Sequence, residues 1–256
     1  MIPPVSRPPM LAAAICVAAA LQPSPAHAGP ALDGYFIQLY TGLGLTEDSD
    51  LRIRVPDEGF DLTFSRVSWE DYSLSRPSIP YIGVRVGRFF DRRPWLGLAV
   101  DIIHYKVFAR TDRQVEVSGT FDGGEIAGSA PLAQFVQRHN VGNGVNMYLL
   151  TALARLRRDR SDEFPDGRWR PYAGLGLGAT VLYTHSTVLD QSREGYESGK
   201  LAAELLAGVE IQLNRRFAVF GEYKRTRTDA NGSVVGGDSQ TRLDSDHFVV
   251  GGGYRF

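Results

Sequence analysis

The stretch Lys200-Leu201-Ala202-Ala203-Glu204-Leu205-Leu206-Ala207-Gly208-Val209-Glu210-Ile211-Gln212-Leu213 decides the fold. From Leu201 to Leu213 every odd position is apolar, whereas the even positions include Lys200, Glu204, Glu210 and Gln212. Only a strand sorts residues onto two faces with a period of two. The same alternation recurs over roughly 34–44, 80–89, 95–108, 141–156, 171–184, 217–227 and 245–256. Each segment is about as long as the ~9–11 residues that a tilted strand needs to cross a bilayer. In 80–89, Ile82, Val84 and Val86 oppose Gly83, Arg85 and Gly87.

A water-soluble barrel would alternate in the same way with its faces exchanged, so further signs must decide. The charged face is also the glycine-rich face, as expected for a narrow polar lumen. Aromatic residues gather at segment ends (Tyr35, Phe89, Phe90, Trp95, Tyr105, Trp169, Tyr172, Tyr183, Phe217), where interfacial girdles belong. Connections 45–79, 109–140, 185–199 and 228–244 read as long loops, and 90–94 and 214–216 as tight turns. The chain ends on Phe248, Val250, Gly252, Tyr254 and Phe256 in alternation. That ending resembles the terminal strand by which outer-membrane proteins are handed to the barrel-assembly machinery.

The expected fold is therefore all-β, an eight-stranded antiparallel transmembrane up-and-down β-barrel in the outer membrane. Closure satisfies every backbone group without water, which a bilayer demands. Inward parity belongs to Arg85, Asp101, Lys200, Glu204, Glu210, Glu222, Lys224 and Arg255. Buried in so small a barrel, these charges must pair with one another, which argues against an open pore.

Residues 1–28 read as a secretory signal: Arg7, an apolar run from Met10 to Leu21, then Ala26-His27-Ala28 before Gly29. The barrel domain is then 29–256. Cys16, the single cysteine, would leave with the signal, so no disulfide staples the fold. Removing Arg7 from the 28 basic residues leaves 27 against 29 acidic ones. That balance gives no reason to expect nucleic acid. No Gly-x-Ser-x-Gly elbow, phosphate loop or Cys/His metal spacing is present, and Gly174, Gly176 and Gly178 alternate as packing glycines within a strand.

Four histidines follow the signal: His104, His139, His185 and His247. By the strand assignment all lie toward the extracellular ends, and His104, His139 and His185 share parity with residues taken to face lipid (Ile102, Val141, Tyr183). An outward histidine at this rim is placed to meet a lipid headgroup, to act as a general base or to help bind a metal. The alternative is an interfacial ring with one polar edge. Lys106 and Arg110 continue outward from His104 and suit lipid phosphates. Phe60, Phe64, Trp69 and Tyr72 in the first long connection suggest a lid over the barrel mouth or a partner surface.

Several blocks resemble the outer-membrane lipid A oxidases of rhizobia and their relatives. They are Trp69-Glu70 with Pro80-Tyr81-Ile82-Gly83-Val84-Arg85, Asp101-Ile102-Ile103-His104-Tyr105-Lys106-Val107-Phe108-Ala109, Arg170-Pro171-Tyr172-Ala173-Gly174 with His185, and Ala218-Val219-Phe220-Gly221-Glu222-Tyr223-Lys224. The fourth strand departs from that family, reading His139-Asn140-Val141-Gly142-Asn143-Gly144-Val145-Asn146. The resemblance implies oxygen-dependent oxidation of the proximal glucosamine of lipid A to an aminogluconate unit. It makes His104 the base and Glu70 its partner. Lys106, Arg85, Arg110, Trp69 and His185 would then hold the lipopolysaccharide substrate. It names no electron acceptor, cofactor or metal. The other readings are a non-catalytic structural or surface barrel of the OmpA-like kind, and a loop-mediated adhesin.

Overall fold

The computed structural model describes residues 34–71 and 81–256. The proposed signal at 1–28 and Tyr72 lie outside them. Among the described residues eight antiparallel strands close a ring: β1 (Tyr35–Thr46), β5 (Ile82–Phe90), β6 (Arg93–Ala109), β9 (Val136–Arg155), β10 (Trp169–Val188), β11 (Gln191–Gln212), β12 (Phe217–Val234) and β13 (Gly237–Arg255). The ring closes where Phe36–Thr46 of β1 pairs with Ser245–Arg255 of β13.

Leu39, Val86, Leu98, Val100, Leu150, Leu175, Leu177, Leu205, Val219 and Val250 point out and are exposed. That is an apolar belt with no protein against it, the signature of a lipid-facing wall. Tyr35, Phe90, Trp95, Trp169 and Phe217 are likewise exposed at its lower border, as the girdle reading requires. Phe89 and Tyr105 instead turn inward and are buried.

The lumen holds the expected charges. Arg85 spans Asp101 (2.7 Å) and Glu222 (2.8 Å), and Lys224 reaches Asp101 (2.5 Å), Glu222 (3.3 Å) and Glu204 (3.4 Å). All five side chains are fully buried, and the Tyr40 hydroxyl donates to Asp101. Packing is tight: a Cβ on Gly83 would lie 1.9 Å from Tyr40 Cζ, so only glycine lets that ring cross the lumen. The space beside Gln38, Arg85 and Tyr172 is about 10 Å³. That is room for about one water, so the tube is a filled core.

The supposed loops are strands. β2 (Ser49–Val55), β3 (Phe60–Val67), β7 (Gln114–Phe121) and β8 (Gly124–Pro131) extend the sheet from the upper end of β13 in the order β13–β2–β3–β7–β8. A short β4 (Trp69–Asp71) joins the top of β6. Leu51, Ile53, Leu62, Phe64, Val115 and Val117 point to one side of this extension and are buried with Phe135, Val136, Val188 and Val234. Phe60, Phe64 and Trp69 therefore belong to a packed core above the barrel rather than a free lid. Segments 185–199 and 228–244 are likewise not loops: β10 and β11 meet at Leu189-Asp190, and β12 and β13 at Val235-Gly236. Leu189 and Asp190 take the left-handed backbone (φ 49° and 62°) that so tight a turn imposes.

Lys200 is exposed, against its expected inward place. The ladder shifts between Ala179 and Val181, which face Leu201 and Ser198, so one extra β11 residue inverts parity above that point. Val141 is buried, not lipid-facing, and His139 follows it inward. Both faces of β9 are apolar (Val145, Met147, Leu149 against Tyr148, Leu150, Ala152), so alternation alone did not reveal which one met lipid.

Candidate functional site

The outward face of β6 above the apolar belt carries His104, Lys106 and Phe108 in ascending order. His104 Nδ1 lies 2.8 Å from Asn146 Oδ1, its register partner on β9. The Asn146 amide nitrogen donates to the carbonyls of Val181 (3.1 Å) and Gly144 (3.3 Å). Both amide hydrogens are thus committed to acceptors, and the amide oxygen is left to face the imidazole. A carbonyl oxygen only accepts, so Nδ1 carries the proton and Nε2 keeps its lone pair. Beneath the ring Gly144 adopts φ +112°, and a Cβ there would lie 2.2 Å from His104 Cε1. His104 is therefore seated on a glycine, pinned by an amide, and open at Nε2. Tyr148, two residues along β9 from Asn146, is exposed at the upper border of the belt.

The other candidates are placed differently. Glu70 faces outward beside Phe108, four residues along the β6 register from His104. At ~3.3 Å per residue that separates them by ~13 Å. The group that orients His104 is thus Asn146. Lys106 lies between the two levels. Arg110, just past β6, is tied by its N–H to the Ser68 carbonyl (2.9 Å) and by its guanidinium to Asp112 (3.4 Å). Arg85 is sealed in the lumen. Trp69 is buried, its Nε1 donating to Ser49 Oγ (2.8 Å) and its ring 6.0 Å from that of His139. His185 stands on the outer face of β10 with Nδ1 3.7 Å from Glu194. Register carries Glu70 to Phe108, Asn140, His185 and Glu194 in one row, so His185 is three strands from Glu70. At ~4.8 Å per strand that is ~14 Å.

The remaining histidines are structural. His139 accepts or donates one bond with Ser186 Oγ (2.9 Å), and burial pushes its pKa down to about 4. His247 is buried between Tyr81 and Tyr105 (ring centroids 5.4 and 4.9 Å) and bonds Thr226 (2.8 Å). Among the described residues no group of three or more His, Cys, Asp or Glu is arranged to hold a metal ion. Sequence reasoning missed Asn146 and Gly144. Their signal was an amide on a lipid-side position directly across a strand pair from the histidine.

A family model for the outer membrane protein beta-barrel domain matches residues 12–256. Among curated proteins none is similar enough to count as a relative. Solved structures with a similar fold include OprG from Pseudomonas aeruginosa (13% identity, 88% of this chain and 96% of that one, TM-score 0.48). Neisserial surface protein A is 10% identical over 88% of this chain and 98% of that chain (TM-score 0.45). The outer membrane protease OmpT from Escherichia coli is 10% identical over 91% and 100% (TM-score 0.45). With its closed ring, lipid-facing belt and filled polar lumen, the chain belongs to the outer membrane protein beta-barrel domain family and resides in the outer membrane.

Proposed function

We propose that the protein acts on lipid A, with the outward rim of β6 meeting the headgroup of an outer-leaflet lipopolysaccharide molecule. One observation carries this reading: His104 is held over Gly144 by Asn146 in the tautomer that leaves Nε2 free, on the face that meets lipid. A general base needs that free lone pair and a fixed approach. Lys106 above it, and Arg110 and Glu70 higher still, would bind phosphate and sugar hydroxyls. The reaction is oxidation of the proximal glucosamine to an aminogluconate unit. Its reducing-end carbon, as a free hemiacetal, loses two electrons and two protons to become a lactone, and His104 takes the hydroxyl proton. Dioxygen accepts both electrons and both protons and leaves as hydrogen peroxide. Water then opens the lactone to the aminogluconate, a net gain of one oxygen. Arg85 and Trp69 would support the wall from inside rather than touch substrate. The terminal strand ending in Phe256 would be the handle for the barrel-assembly machinery.

Mass spectrometry of lipid A from cells with and without the gene tests this. The expected result is a gain of one oxygen on the disaccharide that disappears in His104→Ala and falls strongly in Asn146→Leu. An unchanged lipid A profile in a strain displaying the folded protein removes the oxidase. The packed core under β2, β3 and β7 favours a second reading, a surface barrel or adhesin, because such a core fixes the shape of an exposed sheet. Host-surface binding lost on replacing residues 112–131 by a short turn, with lipid A unaltered, would support it.

A further inference from the structure

We propose that the periplasmic mouth of the barrel contains a binding site for a compact phosphate-class oxyanion. Three guanidinium groups from three strands converge there: Arg155 of β9, Arg170 of β10 and Arg255 of β13. Arg155 and Arg255 share the Phe89 ring, at 3.8 and 5.8 Å from its centroid. Two carboxylates answer them. Glu210 accepts from Arg255 (2.6 Å) and stands 3.5 Å from Arg170 Nε. Asp166, in the connection between β9 and β10, reaches Arg155 (3.2 Å), Arg157 (3.0 Å) and Arg255 (3.5 Å). Two of the three arginines, Arg155 and Arg170, are buried and Arg255 nearly so, and the three exceed these two acids by one charge.

The donors are also undersupplied with acceptors. Arg155 Nη1, Arg170 Nε and Nη1, and Arg255 Nε are buried and hydrogen-bond to no protein atom. Arg170 is only 2% exposed, so its unmet donors face the cavity beside them rather than the bulk solvent. Leaving a charged donor buried and unmet is expensive, and an anion relieves both the charge and the hydrogen-bond deficit. Arg170 and Arg255 line a cavity of about 280 Å³ with Gln212, Arg215 and the 162–167 turn, and Arg155 stands behind them in the small space it shares with Arg170 and Phe89. Planar guanidinium forks match the oxygens of phosphate two at a time. Asp162 and Glu163 are exposed at the outer lip and would repel a large polyanion while leaving room for a small one.

The cavity is reached through the barrel mouth, inside the girdle formed by Trp169 and Phe217, so the ligand arrives from the periplasm. A phospholipid of the inner leaflet offers the same phosphate chemistry, and the experiment separates the two. Full-length mature chain in maltoside micelles is titrated with inorganic phosphate at constant ionic strength, and thermal unfolding and phosphorus NMR are followed. A saturable stabilisation is expected, shifting the unfolding equilibrium about 100-fold when phosphate is about 100 times its Kd. Arg170→Gln should weaken binding at least about 10-fold, the loss of a charge-assisted bond. Should Arg170→Gln fail to fold, Arg215→Gln on the exposed rim should still weaken binding by a smaller factor. Equal stabilisation by chloride, no saturation, or phosphate binding untouched in both variants would mean that water alone fills the cavity and would overturn the site. Protection arising only from phosphatidylglycerol vesicles, with none from phosphate, would overturn the soluble ligand. None of these readouts depends on lipid A chemistry.

Discussion

The lower and upper halves of β12 and β13 obey one alternation and give it opposite meanings. Low on β12, Phe217, Val219 and Tyr223 face out while Glu222 and Lys224 face in; higher up, Arg225, Arg227 and Asp229 face out while Ala230 and Val234 face in. The β12–β13 register runs from Phe217 to Val234 without a slip, so backbone geometry is the same throughout. What changes is the solvent. Where lipid surrounds the wall, apolar residues go outside and charges pair within. Where water surrounds it, Arg227 and Asp244 pair outside, and Leu243 with Val234 packs inside. The molecule is an inside-out core continued by an ordinary one.

The two cores should respond differently to damage. Lys224→Met would leave Asp101, Glu204 and Glu222 crowded about Arg85 alone, and breaking such buried pairing costs about 3–5 kcal/mol. The urea midpoint of the folded barrel in detergent should fall accordingly, and an unchanged midpoint would contradict the polar-core account. Phe64→Ala in the upper core should cost about 3–5 kcal/mol by cavity formation, felt locally. Amide exchange should quicken in β2, β3 and β7 and stay slow in β5; uniform quickening would show that the halves are one cooperative unit.

Acid should discriminate between them too. Burial holds His139 neutral down to about 4, against an ordinary value of 6.5 in the unfolded chain. Below pH 6.5 the unfolded state binds a proton that the folded state refuses, so stability falls as pH drops toward 4, by about 3 kcal/mol over the window. Exchange protection around β9 and β10 above the membrane should follow that curve, and His139→Gln should flatten it. The smallest effect is expected at the surface. Arg52 and Asp61 pair at 2.9 Å but both stand in water, so Arg52→Ala should leave the midpoint unchanged.

Much of this architecture was legible in the sequence. The eight wall strands fall on the alternating segments, and seven of eight inward charges lie in the lumen or its mouth, because lipid and a narrow tube impose strict rules on each position. Lys200 escaped because a single inserted residue inverts a face without disturbing composition. The upper sheet was read as loops although Leu51-Arg52-Ile53-Arg54-Val55 and Phe60-Asp61-Leu62-Thr63-Phe64 alternate well. Those segments are too short to span a bilayer, so the length that marks a wall strand passes over them. At the candidate site the residues offer His104, the resemblance names Glu70 as its partner, and the structure sets Asn146 against the ring. Asn146 is 42 residues away in sequence and enters only through the β6–β9 register.

One strand finishes both halves. The lower part of β13 zips against β1, and its upper part, Asp238–Thr241, zips against Leu51–Arg54 of β2. Phe36 and Arg255 meet across almost the whole described chain, so neither the ring nor the crown can close its seam until β13 is made. Until then β1 and β2 expose hydrogen-bonding edges that invite the wrong neighbour. Removing β13 would therefore leave an open sheet in place of a shorter barrel, with the edges of β1 and β2 unsealed.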